Sequence, residues 1–229
     1  VLPEADDVDV QIDDKELDIS IAASGGPGQQ GVRDTLAPLE LHATQPLGLT
    51  EAAPMEAGPV VHLAEILTAG IQDITNAMVE DFKLVDVLRM ILETMYRAMG
   101  FDRIIFCMRD PKTETITGRF GLGQGIEKLV PIFKTPLKAS TPDLFAVVCL
   151  KGVDSLISDA TESRIVQRLP EWYRKGLNAP TFLLLPLMLK GAPFALIYAD
   201  KAVPGGIELG EKELSLLRTL RNQAVMAFR

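Results

Sequence analysis

Residues 181–200 read TFLLLPLMLKGAPFALIYAD, and this stretch decides which folds the chain can adopt. Taken as one window it is apolar enough to suggest a membrane span. Pro186, Lys190, Gly191 and Pro193 interrupt it, however, and a spanning helix wants about 20 apolar residues with no charge at its centre. It divides instead into two runs, 181–189 and 194–200, rich in Leu, Ile and Phe and joined by Lys190-Gly191-Ala192-Pro193. Two such runs predict a β-hairpin at the centre of a sheet, buried on both faces.

Upstream, residues 102–109 (DRIIFCMR) form another apolar run, stopped by Asp110-Pro111, and residues 113–121 alternate Thr, Ile, Arg and Phe. Together they predict a second hairpin. It closes at Gly121-Leu122-Gly123-Gln124-Gly125, which lacks both the Lys-Ser/Thr of a P-loop and the spacing of a dinucleotide fingerprint. The spacing reads as a flexible connection. Ser140-Thr141-Pro142-Asp143 predicts a helix start, with a capping hydroxyl, over 142–151 up to Gly152. That helix would carry Cys149 away from the strand bearing Cys107. A small strand follows at 155–158, closed by Asp159, then short helices at 162–169 and 171–175, divided at Pro170 and holding Trp172, the only tryptophan.

Helical periodicity brackets the strands. Leu63, Ile66, Leu67, Ile71, Ile74, Ala77 and Met78 recur at spacings of three and four, and Val87, Leu88, Ile91, Leu92, Met95 and Met99 repeat the pattern up to Gly100. A last helix from about Glu211 shows Leu214, Leu217, Leu220, Ala224, Val225 and Phe228 as its stripe. The order is helix, helix, strand, strand, helix, strand, helix, strand, strand, helix. Its economical solution is an α+β fold, a central antiparallel sheet flanked by helices.

The chain has 229 residues and a formal net charge of −8, which argues against a nucleic-acid partner, since that grip needs a basic face. The charge is uneven. Residues 1–60 carry twelve acidic side chains against Lys15 and Arg33, with six Gly and six Pro, whereas 61–229 hold 21 basic and 19 acidic groups. The first part reads as an acidic, largely irregular linker, with alternation at 8–12 and 17–21 as its one hint of a strand, and the second as a domain of its own. Neither a signal peptide nor a membrane span is expected. Two cysteines set among apolar residues, Cys107 and Cys149, predict reduced, buried thiols in a cytoplasmic protein.

Three phrases, in this order, resemble a GAF domain, the ligand-sensing module of bacterial signalling proteins: Leu156-Ile157-Ser158-Asp159-Ala160; residues 182–187 followed by 191–200; and Glu213-Leu214-Ser215-Leu216-Leu217. The resemblance runs from about Leu63 to Phe228 and implies a GAF/PAS-like sandwich. Within the family, Leu63 to Met78 followed by Phe82-Lys83-Leu84 looks most like the module that follows an HDOD domain, which implies an upstream output or regulatory domain. The Asn-Lys-Phe-Asp signature is missing, which argues against cyclic-nucleotide binding, and Ala195 stands where a Gly is frequent.

Catalysis is poorly supplied. The histidines, His42 and His62, precede the expected core, so no His-centred triad, haem ligand or metal site is expected there. GAF-like methionine sulfoxide reductases use several cysteines, and one thiol in a strand and another in a helix fit them badly. The resemblance places a small-molecule cavity between the sheet and the lid formed by the cross-connections. The groups placed to line it are Arg119, Phe120, Asp159, Trp172 and Tyr173; which cofactor or ligand it takes is not written in the sequence. An alternative is a ligand-free interaction module, a homodimer through the apolar stripes of the first and last helices.

Overall fold

The structure, a computed structural model, describes residues 59–80 and 82–229. The acidic linker and the alternation within it lie outside the described residues. Helix α1 (Pro59–Val79) leads into α2 (Leu84–Met99), which stops at Gly100 in the left-handed conformation (φ 58°). The strands are β1 (Arg103–Asp110), β2 (Thr115–Gly123), β3 (Lys134–Pro136), β4 (Ser155–Ile157), β5 (Thr181–Leu189) and β6 (Ala192–Lys201). Short helix α3 (Ile126–Leu129) precedes β3, α4 (Leu144–Lys151) and α5 (Ser163–Val166) flank β4, and α6 (Glu211–Ala227) closes the domain.

All six strands form one antiparallel sheet in the order β3-β2-β1-β6-β5-β4. The hairpin that opens the sequence argument, β5–β6, sits inside the sheet as expected. Its turn is only Lys190-Gly191, both at positive φ (51° and 78°), the two-residue mirror-image turn that matches strand twist. Pro186 is tolerated because β4 pairs only with Phe182, Leu183 and Leu184, so at Pro186 no strand lies on the side that would need its N–H.

Each face of the sheet has its own core. On one face α1, α2 and α6 bury Leu67, Ile74, Ile91, Leu92, Leu217 and Leu220 against Ile104, Phe106, Leu185, Leu187, Ile197 and neighbours. The apolar stripes of the first and last helices are therefore used within the domain: Ile74 and Leu217 are each 0% exposed. On the other face α4 and residues 160–177 cover Ile105, Cys107, Ile116, Phe182, Leu184, Leu196 and Tyr198.

Three expectations are corrected. Gly121, Leu122 and Gly123 belong to β2 and pair with Ile105, Ile104 and Arg103, so they are strand and not a flexible connection. A Cβ at Gly121 would meet the Ile104 carbonyl oxygen of β1, and one at Gly123 the carbonyl oxygen of Asp102, the residue just before β1; the glycines are there for close approach. Strand β3 was not foreseen, because Lys134-Thr135-Pro136 is three residues long and ends on proline. Helix α4 starts after Asp143, whose carboxylate accepts a hydrogen bond from the Ala146 N–H at 2.8 Å; the cap is that carboxylate and not an upstream hydroxyl, and Pro142 precedes the helix.

Candidate functional site

The lid begins after β4. Asp159 accepts hydrogen bonds from the Thr161 N–H (2.8 Å) and hydroxyl (2.6 Å), an Asx-type turn whose hydrogen bonds hold the Asp159 carboxyl below its ordinary pKa. The Ala160 N–H donates to the Pro180 carbonyl, and the Leu144 N–H on α4 donates to the Arg168 carbonyl. After Pro170 the chain makes one wide π-type turn, Tyr173–Leu177, preceded by Trp172 and ended by Asn178 at φ 42°. This wide turn sets Tyr173 inward, 1% exposed, and leaves Trp172 half-buried as the roof.

Beneath the roof the rings of Phe133, Phe145, Tyr173, Phe182 and Tyr198 pack together. Trp172 lies 4.6 Å from Phe133 and 5.2 Å from Phe145, centroid to centroid; Phe145 stacks on Phe182 at 5.5 Å, and Tyr198 lies 5.6 Å from Phe133. These separations are those of favourable aromatic pairs, so the chamber is filled by the protein's own rings. Among the described residues, the Trp172 indole Nε1 and the Thr135 hydroxyl are buried on this face without a hydrogen-bond partner, as is Arg109 Nε towards the other end of β1.

One charged network crosses the chamber floor. Asp200 at the end of β6 is 0% exposed and pairs with Arg103 of β1, with Nε–Oδ1 at 3.0 Å and a second nitrogen to Oδ2 at 2.9 Å. Tyr198 donates its hydroxyl to Asp200 Oδ2 at 2.5 Å. Arg103 also donates to the Leu177 carbonyl at 3.1 Å, and Tyr173 donates to the Ala179 carbonyl at 2.9 Å. The network ties the lid turn to the sheet. Burial pushes the Asp200 carboxyl up from its ordinary value, and the Arg103 and Tyr198 hydrogen bonds offset this only in part. Burial likewise pushes the Tyr198 phenol well up.

The five residues singled out in the sequence do not converge. Trp172 and Tyr173 meet under the lid. Asp159 stands at the lid's entrance, engaged with Thr161. Phe120 lies on the opposite face, packed on Phe106 at 5.4 Å beside the α1–α2–α6 layer. Arg119 is exposed. The cause is a β-bulge: Phe106 pairs with Phe120 but Cys107 pairs with Gly118, leaving Arg119 unpaired between them. One inserted residue reverses the side-chain alternation, so Ile116 and Phe120, four apart, face opposite ways. Sequence reading also missed Phe133, Phe145, Tyr198, Asp200 and Arg103. An Asp ending an apolar strand, two positions after a Tyr, was the available signal for the last three.

Cys107 and Cys149 share the lid-side core, near enough that Cys149 contributes to the Cys107 shift; they are not held apart as expected. Both are free and buried. Burial pushes Cys107 well up and Cys149 up to about 12, which disfavours the thiolate, the reactive form. Neither is expected to be alkylated by iodoacetamide at neutral pH until denaturant is added, and fast labelling of the folded chain would contradict this. His62 is exposed on α1. Among the described residues no group of three or more His, Cys, Asp or Glu could hold a metal ion, and no helix is long and apolar enough to cross a membrane.

This architecture is the GAF-domain fold. The chain is similar to the GAF domain of a phosphoenolpyruvate-protein phosphotransferase from Acinetobacter, at 18% identity and TM-score 0.56, covering 71% of this chain and 90% of that one. It is similar in fold to the phycoerythrobilin-bound GAF domain of a cyanobacterial phytochrome, at 13% identity and TM-score 0.56, covering 72% and 95%. The free methionine-R-sulfoxide reductase of Neisseria meningitidis, solved with its substrate, is similar at 14% identity and TM-score 0.56, covering 79% and 95%. No family model matches the chain. A short stretch of 35 residues, 15% of this chain, is 77% identical to part of peptide chain release factor 1 of Sorangium cellulosum, and it spans only 10% of that protein.

Proposed function

We propose that this chain is a non-catalytic regulatory domain of a bacterial signal-transduction protein, and that it senses a small molecule at the aromatic chamber under Trp172. The observation that carries this reading is the roof. A half-buried tryptophan sits at the start of an irregular turn, and its indole N–H is buried without an acceptor. A donor left in that state costs free energy, and an acceptor on an entering ligand would satisfy it. Entry requires Trp172 to swing away from Phe133 and Phe145. The same fold carries a bilin in the phytochrome domain and a substrate in the reductase, which supports the reading for a small molecule here. The buried thiols support the absence of redox catalysis. We further read the protein as cytoplasmic, with an upstream domain of the HDOD type.

Because Trp172 is the only tryptophan, its emission reports on the roof directly. A panel of nucleotides and metabolites is expected to contain a compound that shifts Trp172 emission and Tm together and saturably; a ligand at 100 times its Kd adds about 2.7 kcal/mol. Thr135→Val and Trp172→Phe are expected to weaken that compound. A panel that moves neither signal overturns the sensing role.

A second reading rests on the packed rings: a chamber this full also suits a ligand-free interaction module, with homodimerisation as its signature. Light scattering of the folded chain tests it, and a monomer would remove it. Charged substitutions at Ile74 or Leu217 would not, since both lie in the domain's own core.

A further inference from the structure

On the helical side, away from the Trp172 roof, a cleft of about 540 Å³ opens where α1 and α6 begin and α2 and β6 end. Leu63, Met99 and Leu209 give it an apolar wall, and Lys201, Gly210 and Glu213 are among its other lining residues. The volume falls within the range of small-molecule sites, about 300–1,000 Å³.

Glu213 is out of place in that wall. It is the third residue of α6, only 7% exposed, and no hydrogen bond or ion pair joins it to another described residue. A Cβ on Gly210 would meet its Oε2 at 2.5 Å, so the carboxylate lies over the bare backbone at the start of the helix. The carboxylate opens onto the cleft, where the positive end of α6 favours its charge, and no cation among the described residues pairs with it. Lys201, the cation on the same wall, does not supply that pair. Its Nζ lies beside Gly100, 4.0 Å from where a Cβ would stand, at the end of α2, where the helix's own negative end attracts it. The cleft thus presents an apolar surface and an uncompensated anion.

We propose that this cleft is a binding site for a small apolar amine, whose ammonium pairs with Glu213 while its hydrocarbon lies against Leu63, Met99 and Leu209. The site is separate from the aromatic chamber, so it stands or falls independently of the sensing role proposed there.

Titration calorimetry of the full 229-residue chain with n-hexylammonium, n-hexanol and hexanoate tests it. Saturable binding of hexylammonium is expected, at least about tenfold tighter than hexanol, with hexanoate weakest, and with Trp172 emission unchanged; tenfold corresponds to about 1.4 kcal/mol. Glu213→Gln is expected to bring hexylammonium down to the hexanol level. Leu209→Trp, which fills the cleft from its loop and leaves the carboxylate in place, is expected to block all three, and it keeps the test valid should the Glu213 variant fail to fold. Absence of hexylammonium binding to the folded wild type overturns the proposal. So does equal affinity for hexanol, or binding that survives Leu209→Trp.

Discussion

Replacing Arg103 by Met is expected to lower the stability of the folded chain by about 3–5 kcal/mol at neutral pH, the range seen when one partner of a buried ion pair is removed. The reason lies with Asp200 more than with the arginine. Asp200 is fully buried at the end of β6, and Arg103 supplies both its counter-charge and two of its contacts; Tyr198 supplies only a neutral hydrogen bond. Without the guanidinium the carboxylate is left charged in an aromatic core. Asp200→Asn in the Arg103→Met background is therefore expected to restore much of the loss, which a purely steric role for Arg103 would not allow.

The pH dependence has a definite sign. The Asp200 carboxyl is already raised above its ordinary value of 3.8 in the intact network. Between that value and the folded one, the folded state holds a proton that the unfolded state has released, so stability falls as pH rises through the window. Removing Arg103 extends the window upward. The gap between wild type and Arg103→Met should thus be smallest at acid pH and widen towards neutrality. Urea unfolding across that range checks it; a pH-independent gap, or a variant as stable as wild type at neutral pH, refutes the account.

Which parts of this domain the sequence discloses follows from how local their causes are. The central hairpin, the three long helices and their stripes are written in periodicity, and Gly100 marks the end of α2 where a left-handed residue is needed. The antiparallel α+β arrangement follows from that order of elements. The site was less legible because its assembly is not local. Trp172 and Tyr173 stand out as large aromatics on a lid. Phe133 and Phe145, which complete the chamber, come from the far side of β2 and from α4, and only the folded sheet brings them within 5.7 Å of each other. Phe120 reads as a cavity-lining residue because the bulge at Arg119, which turns it to the helical face, leaves no mark in the alternation. A Gly-rich stretch reads as loose chain by composition, yet the same glycines are what a strand uses when its neighbour's backbone comes very near.

That last point gives the second large effect. Gly123→Ala is expected to destabilise the domain by about 1–3 kcal/mol through conformation alone, since its φ of 118° lies where residues with a Cβ are strained. Crowding adds a further cost of about 1–3 kcal/mol, because the new methyl would run into the Asp102 carbonyl oxygen and stand 2.9 Å from the Arg103 Cα, inside the 3.0 Å that real Cβ atoms keep. Gly121→Ala carries the crowding cost without the positive φ: its methyl would meet the Ile104 carbonyl oxygen and stand 2.9 Å from the Ile126 side chain. Gly125→Ala is the internal control. It shares a positive φ of 71°, but nothing lies within 4 Å of its Cβ position, so it bears strain without collision. Thermal and urea unfolding should therefore place Gly123→Ala as the least stable of the three. If the segment were the loose connection its composition suggests, all three would unfold with the wild type. Strand β2 would then not be held against β1 in the register that pairs Gly123 with Arg103, and the position of Arg103 beneath the lid would need another explanation.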